Sequence, residues 1–293
     1  MVEWIFEWFW MPFAEFGFMQ RALVASLALG LISGPVGVLL VMRRMSLAGD
    51  AISHAVLPGA AVGYMIAGMS LPALGLGAFV TALMVAVLAN GVSSLTSQRE
   101  DASLAAFYLI ALAIGVMLVS THGSSIDLIH LLFGSILAVD ADALLIVVGA
   151  ATVTLALLAV IWRVLLISSF DPQFLLQFGQ AGRLTNSIFM LAVVLTFVAC
   201  FQTLGTLMAV GLLMLPATAA KFWSRDIPTA CVLASIFAMV SASAGLLLSY
   251  HASLPSGPSI VLTAGVIYLV SLFAGRNDGL LMHTLKIGRH RAS

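Results

Sequence analysis

Asp50 and His54, in the run SLAGDAISHAVLPGAAVGY, are the ionisable pair set inside an otherwise apolar stretch. Four residues apart, they share one face of a helix. Carboxylate oxygen and imidazole nitrogen together are ligands for Zn2+, Mn2+ or Fe2+. Ser46 and Ser53 are close enough in sequence to orient them. Ala48-Gly49 before the pair and Pro58-Gly59 after it allow backbone irregularity, which membrane helices tolerate where the chain lines a cavity. Two plainer roles fit the same spacing. An Asp–His hydrogen bond can fix helix packing, or Asp50 can cap a helix N-terminus. One pair supplies two ligands, whereas Zn2+ usually takes about four. A two-fold dimer would bring a second Asp50 and His54 to the axis and complete a site.

The elements that must hold this pair are set by composition. Of 293 residues, 62% are hydrophobic and 8% are charged. The mean hydropathy is +1.15. Twelve basic and twelve acidic side chains cannot cover the surface of a water-soluble protein of this length, so lipid must solvate it. A soluble enzyme, a disordered chain and a nucleic-acid binder are excluded. The expected fold is all-α: a polytopic transmembrane helical bundle. Apolar stretches of spanning length lie at about 22–42, 48–68, 72–95, 102–120, 143–162, 185–201, 206–220, 229–249 and 259–275. That gives nine spans, or eight if the sixth and seventh, split by a very short gap, form a hairpin or a partly re-entrant pair.

Basic residues orient the bundle. Arg43 and Arg44, Arg99, Arg163 and Arg183, Lys221 and Arg225, and then Arg276, Lys286, Arg289 and Arg291 fall in alternate gaps, and of the twelve only Arg21 lies on the other side. By the positive-inside rule the N-terminus is outside and the C-terminus cytoplasmic. Three regions result: an interfacial segment over 1–19, rich in Trp, Phe and Glu; a transmembrane domain over 20–276; and a cytoplasmic tail over 277–293. The N-terminal stretch lacks the basic start and small-residue cleavage site of a signal peptide.

The remaining polar residues carry less chemistry. His122, Asp127, His130, Asp140 and Asp142 read as a solvated acidic outer loop, and His251, His283 and His290 as surface residues. Cys200 and Cys231 lie inside apolar runs and form no metal clip. Gly30, Gly34, Gly37, Gly75 and Gly77 read as close-packing positions. No GxxxxGK[ST] phosphate loop, Ser-His-Asp motif or HExxH is present, so ATP hydrolysis by a phosphate loop is not this chain's work. The cytoplasmic gap SSFDPQFLLQFGQAGR is different. Asp171-Pro172 signals a helix start, and Gly179 and Gly182 its end. Phe174, Leu175 and Phe178 would then need either a partner protein or the membrane surface.

The run RRMSLAGDAISHAVLPGAAVGY resembles the signature of the integral membrane permeases of bacterial zinc/manganese/iron ABC importers, the ABC-3 family. FDPQFLLQFGQAG, QTLGTLMAVGLLMLPATAA and LPSGPSIVLTAGVIYLVSLF follow in the family's order, so the resemblance covers about 20–275. More distantly the pattern resembles the permeases of cobalamin and siderophore importers. The resemblance implies a bacterial inner-membrane permease that is not itself an enzyme. It implies a homodimer, or pairing with a related permease. Cytoplasmic ATP-binding subunits would dock on Asp171, Pro172, Phe174, Gly179 and Gly182. An extracytoplasmic metal-binding protein would deliver the ion. It puts the transported Zn2+, Mn2+ or Fe2+ on Asp50 and His54, with no permanently bound cofactor and no nucleic-acid partner. Two rivals follow from other classes: a gradient-driven cation transporter, which would need further intramembrane carboxylates, and a membrane scaffold in which Asp50 and His54 only pack.

Overall fold

The computed structural model of the protein describes residues 9–68, 70–121, 136–170, 180–277 and 279–280. Among these, every regular element is helical. In order they are α1 (Met11–Glu15), α2 (Gly17–Met42), α3 (Ser46–Ala67), α4 (Leu71–Leu95), α5 (Glu100–Thr121), a 3-10 turn at Ile136–Ala138, α6 (Ala141–Phe170), α7 (Gln180–Leu204), α8 (Thr206–Lys221), α9 (Ile227–Ala252) and α10 (Ser256–Ala274). Long apolar runs take this form because lipid offers no partner for an unpaired backbone group, and a helix pairs them internally.

Helices α2 to α10 fall on the nine apolar stretches, but seven of them, not nine, are long and apolar enough to cross a membrane. The two exceptions have different causes. Helix α8 has 16 residues, which at about 1.5 Å per residue fall short of a hydrocarbon core of about 30 Å. Helix α3 has 22 residues and is long enough. Asp50, His54, Pro58 and its serines and glycines dilute its apolarity, and it is covered by neighbouring helices instead of lipid.

The helix ends follow local chemistry. Asp226 caps α9, accepting from the Thr229 amide at 3.2 Å. Gly68 closes α3 at φ 62°, its N–H bonded to the Tyr64 carbonyl. Gly205, at φ 81°, is the single residue between α7 and α8. Asp140 accepts from the Ala143 amide at 2.7 Å and so caps α6, a specific task for a residue expected only to solvate a loop.

The chain divides into two compact units. The first comprises Met1–Val41, Ser135–Leu144 and Gly211–Ser293. There, α2 packs on α9 through glycines: a Cβ at Gly34 would strike Ser235, and one at Gly30 would strike Met239. The Ser235 hydroxyl donates to the Leu31 carbonyl at 3.0 Å, and Thr263 of α10 donates to the Ser241 carbonyl of α9 at 2.7 Å. Arg21, the basic residue out of step with the charge pattern, is tied down by its Nε–H to the Val139 carbonyl at 3.1 Å.

The second unit, Met42–Gly134 with Leu145–Val210, contains α3. Gly59 of α3 and Gly77 of α4 face each other so closely that a Cβ on either would collide with the other's carbonyl oxygen. Gly63 meets the Ala73 carbonyl in the same way. On α5, a Cβ at Gly115 would stand 3.0 Å from the nitrogen of Pro58. Small residues let backbones approach where lipid provides no hydrophobic drive. They hold α3 between α4 and α5, with α7 packed on both α3 and α4.

Candidate metal site

Asp50 and His54 lie in the second and third turns of α3, with Oδ1 and Nε2 3.5 Å apart. That separation is too long for a sound hydrogen bond. The helix begins at Ser46 with Met45 before it, so Asp50 is not its cap. Both plain roles are therefore weak, and both side chains keep free lone pairs. The carboxylate is half exposed and the imidazole 24% exposed.

The imidazole is held by its surroundings and not by its partner. Its ring stacks on Tyr108 of α5, with centroids 6.1 Å apart and planes at 25°. Tyr108 and Phe107 in turn pack against the buried cluster of Ala55, Val85 and Ala111. His54 Nδ1 is buried and, among the described residues, has no hydrogen-bond partner. An unsatisfied buried polar atom is costly, but it is the other ring nitrogen, Nε2, that faces the Asp50 carboxylate. Ser53 does not orient the pair: its hydroxyl donates to the Gly49 carbonyl of its own helix at 2.9 Å. Ser46 is exposed at the helix start.

Among the described residues, no group of three or more His, Cys, Asp and Glu comes together. The pair by itself offers two donor atoms, a carboxylate oxygen and an imidazole nitrogen, a donor set that suits Mn2+, Fe2+ and Zn2+ alike. Cys200 and Cys231 are buried and unpaired by disulfides, and neither joins the site.

Of the residues singled out in the gap over 168–183, Asp171, Pro172, Phe174 and Gly179 lie outside the described residues, as do His122, Asp127 and His130. Gly182, expected to close a short helix, instead sits buried in the first turn of α7. Glycine disfavours a helix interior by only about 1 kcal/mol, which the apolar run after it outweighs. Sequence reading passed over Asn186, Asn90 and Glu100. The structure joins all three to Arg43 in one hydrogen-bonded group. Polar residues at the ends of apolar helices were the available signal.

A model of the ABC 3 transport family matches residues 15–275. The manganese transport system membrane protein MntC of Listeria innocua is 35% identical over 272 residues, 93% of this chain and 96% of that protein. The manganese import system permease protein ScaB of Streptococcus parasanguinis is 32% identical over 271 residues, 92% and 95% of the two chains. Among solved structures, a chain of PsaBC from Streptococcus pneumoniae in complex with Fab is 32% identical, with a TM-score of 0.81 over 97% of this chain and 100% of that one.

Proposed function

The chain belongs to the ABC 3 transport family, and from that membership we propose that it is the membrane permease subunit of an ATP-driven importer of divalent transition metal, with Mn2+ its first candidate substrate. The observation that carries this reading is the Asp50–His54 pair on a shielded helix, with Asp50 Oδ1 and His54 Nε2 facing each other 3.5 Å apart. The names of MntC and ScaB favour manganese over zinc and iron. The donor set accepts all three.

The mechanism is alternating access. A binding protein on the outer face releases the ion, and Asp50 and His54 take it up from one side of the bilayer. A second copy of this chain, or a related permease, supplies further ligands. ATP binding and hydrolysis in the docked partner then move the helices and open the site inward. Binding is moderate, because an ion that is held too tightly cannot leave. Docking falls to the Asp171–Gly182 segment, whose Phe174 needs an apolar partner. The test is uptake of radiolabelled Mn2+ into proteoliposomes. The expected result is uptake only when the ATP-binding subunit and ATP are both present. Uptake driven by an ion gradient without them would favour a secondary transporter and sink this reading.

Orientation follows the basic residues, with α3 and the short α8 carried through the bilayer alongside the seven long apolar helices: N-terminus outside, C-terminus cytoplasmic, in a bacterial inner membrane. Residues 1–19 lie at the outer interface, consistent with exposed Phe9 and Trp10 and with Phe16 tilted against Tyr250 at the end of α9, ring centroids 5.8 Å apart. The tail over 277–293 is cytoplasmic. Single cysteines at Gly68 and His122 should react with an impermeant thiol reagent from outside, and cysteines at Arg99 and Arg276 only from inside. Labelling of positions 99 and 122 from the same side would overturn the orientation.

A further inference from the structure

A polar group far along the chain from any expected site joins four elements of the second unit. The Arg43 guanidinium donates from Nη1 to Asn186 Oδ1 at 2.8 Å. It also lies over the ring of the fully buried Phe189, 4.4 Å from the centroid. Asn186 Nδ2 faces Asn90 Oδ1 at 3.1 Å and Glu100 Oε1 at 3.4 Å. The chemistry leaves one orientation for the Asn186 amide. Guanidinium only donates, so the amide oxygen must face Arg43, and the carboxylate accepts from the amide nitrogen. Burial lowers the Arg43 pKa from its usual value, and the negative charge of Glu100 opposes that shift.

The sequence positions of the two central residues give the group its meaning. Arg43 stands in the short turn between α2 and α3, three residues before Ser46 begins the helix that carries Asp50 and His54. Asn186 stands in the second turn of α7, just beyond the Asp171–Gly182 segment. A helix moves as a rigid rod along its axis, so a shift at the start of α7 reaches Asn186 undiminished. The amide is engaged at both ends, and the arginine is held by a charge-assisted hydrogen bond and by Phe189. Movement of one must drag or break the other. This is a direct physical contact between two elements; coupling further requires that the contact have two arrangements that both ends bias, which is what the experiment below reads.

We propose that the Arg43–Asn186 contact carries movement of the ATPase-docking segment to the helix bearing the metal ligands, with Asn90 and Glu100 as the fixed seat against which it works. This rests on the transport reading above. Arg43 and Asn186 are positioning residues: they act on the ion through α3 and touch no metal.

The test uses the full chain reconstituted with its ATP-binding subunit and binding protein. The variants are Asn186→Leu, which removes both ends of the amide while keeping its branched shape, and Arg43→Lys, which keeps the charge but loses the planar fork. Three quantities are read: ATPase retained on the purified permease, ATP hydrolysed, and Mn2+ carried per ATP. The expected result is retained partner and hydrolysis close to wild type, with Mn2+ carried per ATP down roughly tenfold in Asn186→Leu, inside the range that site-to-site couplings span. Arg43→Lys should lose less. The double variant should fall no further than Asn186→Leu alone, because one link can be broken only once. Mn2+ binding to the variant permeases without ATPase should match wild type. Wild-type Mn2+ per ATP in Asn186→Leu overturns the proposal, as does loss of the ATPase from the complex. Should Asn186→Leu fail to fold, Arg43→Lys decides alone, and a wild-type ratio there overturns it. A wild-type chain that carries no Mn2+ with ATPase and ATP present overturns the transport reading itself, and this inference with it.

Discussion

Asp50→Asn is expected to lower metal uptake by roughly 100-fold or more, since even residues that merely orient a metal ligand are typically worth 10–100-fold, while the helix bundle assembles normally. The amide has the size of the carboxylate and its hydrogen-bonding capacity, but not its charge. The side chain is half exposed, and its contact with His54 is 3.5 Å long, so little packing is at stake. His54→Ala should be equally inactive. It also removes the stack on Tyr108 and therefore loosens the α3–α5 contact, a secondary effect that a melting curve would expose. The decisive measurement is uptake per folded complex in vesicles. If the pair only packs, the outcome reverses: Asp50→Asn is tolerated and His54→Ala acts through stability alone. Near-normal uptake by Asp50→Asn would falsify the ligand role.

Gly179→Arg is expected to abolish uptake by a different route. Glycine at a docking surface permits close approach, and a long cationic side chain there keeps the partner away. The spans should be untouched, so the permease should still purify as a folded protein and still bind Mn2+ at its own site. What should vanish is retention of the ATP-binding subunit and, with it, transport. Normal pull-down together with normal uptake would remove this segment from the docking surface. The contrast with Asn186→Leu is useful: one variant loses the partner, the other keeps it and loses the stroke.

The helices were legible because lipid makes them compulsory. An apolar run long enough to cross has no other way to pair its backbone groups, and α2 to α10 lie where those runs lie. The pairing of Asp50 with His54 was legible for a similar reason. At 3.6 residues per turn, positions four apart share a face whatever surrounds them. Both inferences need only local geometry. The number of helices fit to cross was less legible. A composition that looks short of apolarity, as in α3, has one meaning against lipid and another between α4 and α5, and sequence does not show the neighbours.

What the tertiary structure alone decided are the quantities set by contacts between distant segments. The sequence determined that Asp50 and His54 share a face. It did not determine that they stand 3.5 Å apart with Nδ1 buried and, among the described residues, unpartnered, because that depends on where α5 places Tyr108. Ser53 looked like a helper to the site, yet its hydroxyl closes on its own helix at Gly49, a local option open to any serine in a helix. Arg43 read as one more cytoplasmic charge, and Asn186 as nothing at all. They meet across 143 residues of chain. No periodicity encodes such a meeting: hydrophobic pattern acts along one helix, whereas the partner of a buried guanidinium is chosen by which other helix ends fold beside it.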